Sequence, residues 1–264
     1  MKTSVIYTPR GAAREYAMYA CNVYRGCSHG CSYCFGPATN RTSKVQFLQP
    51  ATRGPDFLER VDTDAKRMSQ DGKVSFQVHL CFTTDPYQPL DEKLHITRDV
   101  IQILHNHGLW VAILTKGGKR ALRDIDLFGP HDAMAATMTY GTNMDTLREE
   151  PGSAMPQDRW DALKEFHDAK VPTWISCEPV MDPKHTLYLI SKMHRVVDHV
   201  KVGKLNHDPE REKKIDWLKF GGDAITLLES LGYKRIHNPD DAIRSNADHR
   251  TYYIKSGLAQ ILEG

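Results

Sequence analysis

Four of the six cysteines lie close together near the N-terminus, between Cys21 and Cys34. Three of them, Cys27, Cys31 and Cys34, form a C-x3-C-x2-C pattern. Three thiolates on one loop can hold three corners of a [4Fe-4S] cubane and leave one iron open to a substrate or cofactor. The same thiols also suit a structural zinc site completed by Cys21 or His29, because zinc prefers a closed tetrahedral set of sulfur and nitrogen ligands. The pattern therefore predicts a metal centre, either catalytic or structural.

Short β-rich runs alternate with helical patterns along the chain, which predicts parallel strands joined by right-handed crossovers. Six such units are typical of a partial (β/α)6 TIM-type barrel of the α/β class. We expect residues 1–206 to form this core with an N-terminal lead-in, and residues 207–264 to form a short helical C-terminal appendage packed on it. The predicted strands span residues 17–24, 74–82, 110–115, 134–140, 172–177 and 196–202. The predicted helices span residues 55–68, 96–107, 119–128, 156–169, 186–194 and 221–231.

Polar residues follow these strands, where barrels of this kind gather their chemistry. Thr84 and Asp85 follow the second strand, Lys116 the third, Thr139 ends the fourth and Glu178 follows the fifth. Each also has a simpler interpretation. An Asp before Pro starts turns, a lone lysine is usually a solvated surface charge, and threonine favours strands.

The cysteine loop resembles that of the radical S-adenosylmethionine (SAM) enzymes, whose signature is CxxxCx(aromatic)C after the first strand of a partial barrel. Tyr33 supplies the aromatic residue. Residues 22–35, 82–89 and 113–116 are similar to the branch related to spore photoproduct lyase, and the resemblance extends over residues 17–206. The motifs therefore identify a family as well as a type of site.

This resemblance implies that the three loop cysteines carry a [4Fe-4S] cluster and that SAM chelates its open iron. One electron from an external donor of the flavodoxin or ferredoxin type would then cleave SAM. The resulting 5′-deoxyadenosyl radical would abstract hydrogen from a substrate in the barrel mouth. The residues expected to contact SAM are Tyr33, Thr84, Asp85, Lys116, Thr139 and Glu178.

Cys81 and Cys177 are the candidate catalytic thiols. Spore photoproduct lyase returns hydrogen from a thiol three residues before the Asp, whereas Cys81 lies four residues before Asp85, and Phe82 takes the matching place. A shift of one residue on a strand changes the face, so a buried, inert Cys81 is favoured. Cys177 either faces the barrel interior as a radical relay or packs outward, and packing is favoured. Cys21 is either a further thiol near the cluster or a buried strand residue.

The composition is that of a globular protein, with 40% hydrophobic and 26% charged residues and a net charge of +2. These values exclude a disordered chain and give no strong overall signal for nucleic-acid binding. Because no apolar stretch is long enough for a signal sequence or a membrane span, we expect a soluble cytoplasmic protein with no membrane partner.

The sequence leaves the substrate and the oligomeric state open, and a peptide or small metabolite would fit the same core. A nucleobase in DNA or RNA is the first hypothesis, from the resemblance. A basic and aromatic lip over residues 7–14 with Arg41, Lys44 and Arg53, and a second stretch over residues 244–255, would suit nucleic acid. The alternative from another class is a zinc-stabilised, non-catalytic binding module.

Overall fold

The computed structural model describes residues 4–73, 76–206, 208–239, 241 and 250–264. Within these residues one sheet has the order β1-β2-β3-β4-β5-β6-β7-β9-β8, and every neighbouring pair is parallel except β1 and β2. The strands are β1 (Ile6–Tyr7), β2 (Tyr19–Cys21), β3 (Gln77–Leu80), β4 (Trp110–Thr115), β5 (Ala133–Thr137), β6 (Thr173–Cys177), β7 (His199–Val202), β8 (Lys234–Arg235) and β9 (Thr251–Ile254).

Helices connect the strands and cover one face of the sheet. The α-helices are α1 (Gly36–Thr39), α2 (Lys44–Phe47), α3 (Phe57–Gln70), α4 (Asp91–Leu94), α5 (Ile96–Asn106), α6 (Asn143–Glu149), α7 (Pro156–Asp168), α8 (Pro183–Met193), α9 (Pro209–Glu212), α10 (Trp217–Ser230) and α11 (Ser256–Leu262). The 3-10 helices span Gly11–Glu15, Gly118–Leu127 and His194–Val196.

The two faces of the sheet differ in chemistry because successive strand residues point to opposite sides. On β4, Val111 and Ile113 join the main hydrophobic core with the outer helices. Ala112 and Leu114 lie on the other, inner face, in a small cluster with Trp174. The side chains of this inner face include short alanines, and Tyr16 and Leu114 pack against them.

The predicted fold class is confirmed. All six predicted strands are present as β2 to β7, although most are shorter than expected, and β1 and β8 end the sheet without pairing to each other among the described residues. The barrel is therefore partial. The segment expected as a helix over residues 119–128 is a 3-10 helix, Gly118–Leu127.

The C-terminal segment differs from the expectation of a helical appendage. It contains α10 and α11, but it also contributes β8 and β9 to the sheet, with β9 directly beside β7. The run Thr251–Ile254 is rich in β-branched and aromatic residues, so it extends the parallel sheet. A division of the chain at residue 206 stays a prediction. Residues 74 and 75 of the second predicted strand, and residues 244–249 of the second basic stretch, lie outside the described residues.

In the part of the chain that the structure describes, none of the helices is both long enough and apolar enough to cross a membrane.

Candidate functional site

The cysteine loop follows β2 and is held against α2. The backbone N–H of Cys27 donates to the carbonyl of Phe47 at 2.8 Å, and that of Cys34 donates to the carbonyl of Cys31 at 3.2 Å. Gly26 has a φ of +71°, and a Cβ there would lie 2.5 Å from the Phe47 carbonyl oxygen. Only glycine fits this approach of the two chains. The loop is thereby folded back on itself with its three cysteines on one short segment.

The three thiols interact with one another electrostatically. The pKa of Cys31 is raised to about 11 and that of Cys27 above its ordinary range; burial is the largest cause, and neighbouring loop cysteines contribute to both increases. Among the described residues, no three Cys, His, Asp or Glu side chains are already arranged as a metal-binding group. The donor chemistry nevertheless fits a group bound through three sulfurs, because binding supplies the charge that turns such thiols into thiolates.

Neither residue considered as a further zinc ligand is turned towards this set. His29 is buried, with Nε2 3.1 Å from Arg120 Nη2 and Nδ1 3.5 Å from Asp85 Oδ2. Burial lowers the pKa of His29 to about 4, so the ring is neutral and both of its nitrogens face protein partners. Cys21 is fully buried on β2 in the main hydrophobic core, where its electrostatic neighbours include Cys81 rather than the loop cysteines.

Asp85 connects the ends of β3 and β4. Its Oδ1 accepts hydrogen bonds from the Thr115 hydroxyl at 2.6 Å and from the Tyr87 N–H at 2.9 Å, and its Oδ2 accepts from the Lys116 N–H at 2.7 Å. Burial opposes ionisation of Asp85, but His29 and these donors outweigh it and lower the pKa. The carboxylate is thus surrounded by the chain's own donors, and its contact with SAM stays a prediction. The neighbouring Thr84 hydroxyl is buried and has no hydrogen-bond partner among the described residues.

Three of the predicted SAM contacts meet around one buried carboxylate that no sequence motif indicates. The Tyr33 hydroxyl donates a hydrogen bond to Glu150 and lies 3.1 Å from Thr139 Oγ1. Lys116 Nζ lies 3.9 Å from Glu150 Oε1 and 5.5 Å from the centroid of the Tyr33 ring. Tyr33, Lys116 and Thr139 therefore form one group, and Glu150 joins them.

Arg159 on α7 is the main counter-charge of Glu150. Both side chains are buried, and the Arg159 guanidinium donates to Glu150 as well as to Ser153 Oγ at 2.6 Å and to the Thr137 carbonyl at 2.8 Å. Burial would raise the pKa of Glu150, but Arg159 and Lys116 lower it. No local pattern marks this ion pair, since Glu150 follows α6 in a Glu-Glu-Pro-Gly turn.

Glu178 belongs to a different cluster on the inner face. Its Oε2 accepts hydrogen bonds from the Tyr16 hydroxyl at 2.5 Å and from Lys255 Nζ at 2.6 Å. Lys201 and Lys255 place their Nζ atoms 4.7 and 4.5 Å from the centroid of the Tyr16 ring. No contact joins Glu178 to Glu150 among the residues that the structure covers. Among the described residues Glu178 is therefore not part of the group formed by Tyr33, Lys116 and Thr139.

Both candidate catalytic thiols lie in the main hydrophobic core. Cys81 Sγ accepts a hydrogen bond from the Val23 N–H at 3.3 Å, and burial raises the pKa of Cys81. Cys177 is fully buried, and burial alone raises its pKa to about 12. Its neighbour on β6, Ser176, lies 3.0 Å from the Tyr16 hydroxyl on the inner face, so Cys177 points outward. Neither thiol is brought to the inner face.

Solved structures share this fold. A spore photoproduct lyase mutant superposes with a TM-score of 0.68 at 12% identity, covering 97% of this chain and 80% of that one. A second lyase mutant, with bound AdoMet and dinucleoside spore photoproduct, gives a TM-score of 0.65 at 12% identity and covers 96% of this chain and 79% of its own. SuiB of Streptococcus suis bound to S-adenosylmethionine gives 0.58 at 10% identity, covering 90% of this chain and 50% of SuiB. The expected likeness to spore photoproduct lyase is thus confirmed for the fold.

Curated relatives are similar over part of their length. The uncharacterized protein Rv2578c of Mycobacterium tuberculosis and the uncharacterized protein Mb2609c of Mycobacterium bovis are each 27% identical to this chain over 188 residues. The matches cover 68% of this chain and 54% of each relative, so the chain spans about half the length of the curated relatives it matches. No family model matches the sequence.

Proposed function

We propose that this chain is a radical SAM enzyme. The observation that carries the proposal is the CxxxCxYC loop, Cys27 to Cys34, which follows the first parallel strand of a partial barrel. That barrel has the fold of spore photoproduct lyase, of which one mutant was solved with bound AdoMet. The motif would supply the three sulfur ligands, and the fold is one that binds AdoMet in the lyase mutant.

Cys27, Cys31 and Cys34 would hold a [4Fe-4S] cluster whose open iron binds the amino and carboxylate groups of SAM. When bound, this cluster supplies one electron that breaks a carbon–sulfur bond of SAM, which gives methionine and a 5′-deoxyadenosyl radical able to take a hydrogen atom from a substrate. The protein's own part is to hold the ligands, orient SAM and exclude water.

The group around Glu150 orients the cofactor side of the site. Lys116 follows β4, and its ammonium lies between the Tyr33 ring and the Glu150 carboxylate. A largely buried lysine at this place suits the SAM carboxylate, because a hydrogen bond between charged groups is strong where water is excluded. Glu150 and Arg159 keep Tyr33, and with it the cysteine loop, in place.

The substrate would lie against the inner face of the sheet. Ala112, Ala135 and the ring of Trp174 give that face an apolar lining. A nucleobase in DNA or RNA remains our proposed substrate class, supported by the likeness to a lyase solved with a dinucleoside spore photoproduct. An external one-electron donor of the flavodoxin or ferredoxin type completes the reaction.

The metal content and the fate of SAM test this function together. The protein is purified without oxygen and reconstituted with iron and sulfide. SAM and dithionite are then added, and iron, zinc and 5′-deoxyadenosine are quantified. We expect about four irons per chain and 5′-deoxyadenosine in the wild type. Cys31→Ala should lose both, whereas Cys177→Ala, a buried cysteine outside the loop, should keep them. Stoichiometric zinc with intact SAM would instead support a structural metal site and a binding module.

A further inference from the structure

The segment that carries the cysteine loop has no acidic residue of its own, although Ser32 within it donates a hydrogen bond to Glu149 of α6. No Asp or Glu occurs between residues 16 and 55, although the chain as a whole carries 33 of them. The same segment contributes three exposed cations, Arg25, Arg41 and Lys44. Among the described residues, no ion pair involves Arg41 or Lys44. This segment therefore carries a positive net charge in a protein whose overall charge is only +2.

Large apolar side chains are exposed on the same surface. Phe35 is 49% exposed, Val45 71% and Leu48 39%. They lie beside the cations in sequence and in space, because α1 and α2 pack together. We call the surface formed by Phe35, Arg41, Lys44, Val45 and Leu48 the α2 face. An apolar centre with a charged rim is the usual composition of a protein-binding surface.

The α2 face directly covers the proposed cluster ligands. Phe47, the buried residue of α2, accepts the hydrogen bond of the Cys27 N–H at 2.8 Å. The N–H of Gly36, next to Phe35, donates to Cys34 Sγ at 3.3 Å. One short layer of chain thus separates the exposed side of α2 from the thiols.

We propose that the α2 face docks an acidic one-electron donor protein that reduces the cluster. The inference rests on the proposed function, since only a redox centre at the cysteine loop needs such a partner. Electron transfer between proteins weakens steeply with distance, so the donor must bind the surface nearest the thiols. A small, weakly held interface suffices for this purpose, and opposite charges accelerate its formation.

A protein partner suits this face better than nucleic acid. Val45 and Leu48 are aliphatic and offer no ring on which a base stacks, and Phe35 is the one aromatic residue of the α2 face. The cations attract either partner, whereas the aliphatic centre favours the apolar contacts of a protein. Binding of a single-stranded oligonucleotide is therefore measured alongside as the competing outcome.

The experiment compares two ways of supplying the electron. The rate of 5′-deoxyadenosine formation is measured with an acidic flavodoxin kept reduced by its NADPH reductase, and again with dithionite. The ratio of the flavodoxin rate to the dithionite rate measures the contribution of docking, because dithionite reduces the cluster without a protein partner. We expect the double variant Arg41→Glu with Lys44→Glu to raise the KM for flavodoxin about tenfold or more and to lower the ratio accordingly. Val45→Ser should lower the ratio less and leave its dependence on salt unchanged.

A matched control variant has the same change in net charge at residues outside the α2 face. Lys66 on α3 and Lys234 on β8 are exposed, and Lys66→Glu with Lys234→Glu should leave the ratio as in the wild type. An unchanged ratio in the α2-face variants, or an equal loss in the control, would overturn the inference and leave the proposed function intact. Loss of oligonucleotide binding with an unchanged ratio would reassign the face to nucleic acid. If dithionite itself gives no 5′-deoxyadenosine in the wild type, the proposed function fails, and the docking inference fails with it.

Discussion

The phenol of Tyr33 donates a hydrogen bond to the buried carboxylate of Glu150, which lies 117 residues further along the chain. Tyr33 is the aromatic residue of the cysteine motif, so this contact fixes the loop that carries the proposed cluster ligands. Glu150 in turn is held by Arg159 and lies near Lys116. One carboxylate therefore connects the loop to the ends of β4 and β5.

Removing the charge of Glu150 should destabilise the whole protein. In Glu150→Gln the buried guanidinium of Arg159 loses its counter-charge, and breaking such a buried pair costs about 3–5 kcal/mol. The free energy of unfolding from urea titration measures the loss. The matched control is Asp168→Asn, which breaks the exposed pair with Lys164 and should cost at most about 1 kcal/mol. Equal, small effects in both variants would contradict the account.

The stabilising effect of Glu150 should also depend on pH. Since Arg159 and Lys116 lower its pKa in the folded protein, the carboxylate stabilises the fold above its unfolded pKa, about 4.3, and this stabilisation is lost as pH falls through the lower folded pKa. The difference in unfolding free energy between wild type and Glu150→Gln should therefore be constant above about pH 5.5 and narrow below about pH 4. A difference that widens in acid would show that the pKa is raised instead.

Tyr33→Phe separates the ring of Tyr33 from its hydroxyl. The variant keeps the aromatic residue but leaves Glu150 one hydrogen bond short, which should lower the unfolding free energy by about 1–3 kcal/mol. Iron content after reconstitution should stay close to that of the wild type. Tyr188→Phe is the control. Tyr188 is exposed, so the loss of its hydroxyl should leave the unfolding free energy unchanged. Complete loss of iron in Tyr33→Phe would mean that the hydroxyl acts at the cluster itself.

Lys116→Ala should weaken SAM binding without removing the metal. Loss of a hydrogen bond between charged groups costs about 1.5–3 kcal/mol, so we expect the Kd for SAM to rise about tenfold to a hundredfold. Calorimetric titration of the reconstituted protein provides the measurement, with iron content as the check on folding. Lys119→Ala removes an exposed lysine three residues away, paired with Asp161, and should bind SAM as the wild type does. Unchanged affinity in Lys116→Ala would exclude the predicted contact.

The sequence was sufficient for the barrel because its signals are local. Strand runs, turn residues and the helical period each occupy a few neighbouring residues, and β2 to β7 follow from them. The polar residues at the ends of these strands then indicated the candidate site residues. Lys116 and Thr139 were found in this way, and the structure brings both to Tyr33.

The parts that the sequence did not reveal depend on distant contacts. Glu150 and Arg159 look like ordinary charged residues of a turn and a helix, and only their mutual burial makes them a structural pair. The inner-face cluster is similar, because Tyr16 meets Glu178 across more than half of the chain. Strand β9 was not predicted, because Thr251–Ile254 does not continue the recognisable alternation of strands and helices. It becomes a strand by pairing with the edge of β7, which lies about fifty residues earlier in the chain.

The most direct test of the central claim is the electron paramagnetic resonance spectrum of the dithionite-reduced, reconstituted protein, recorded before and after SAM is added. We expect the signal of a reduced [4Fe-4S] cluster that shifts when SAM binds its open iron, and the loss of that signal in Cys31→Ala. A cluster signal that SAM leaves unchanged would contradict SAM binding at the open iron. The absence of any cluster signal in the wild type would contradict the assignment of Cys27, Cys31 and Cys34 as cluster ligands.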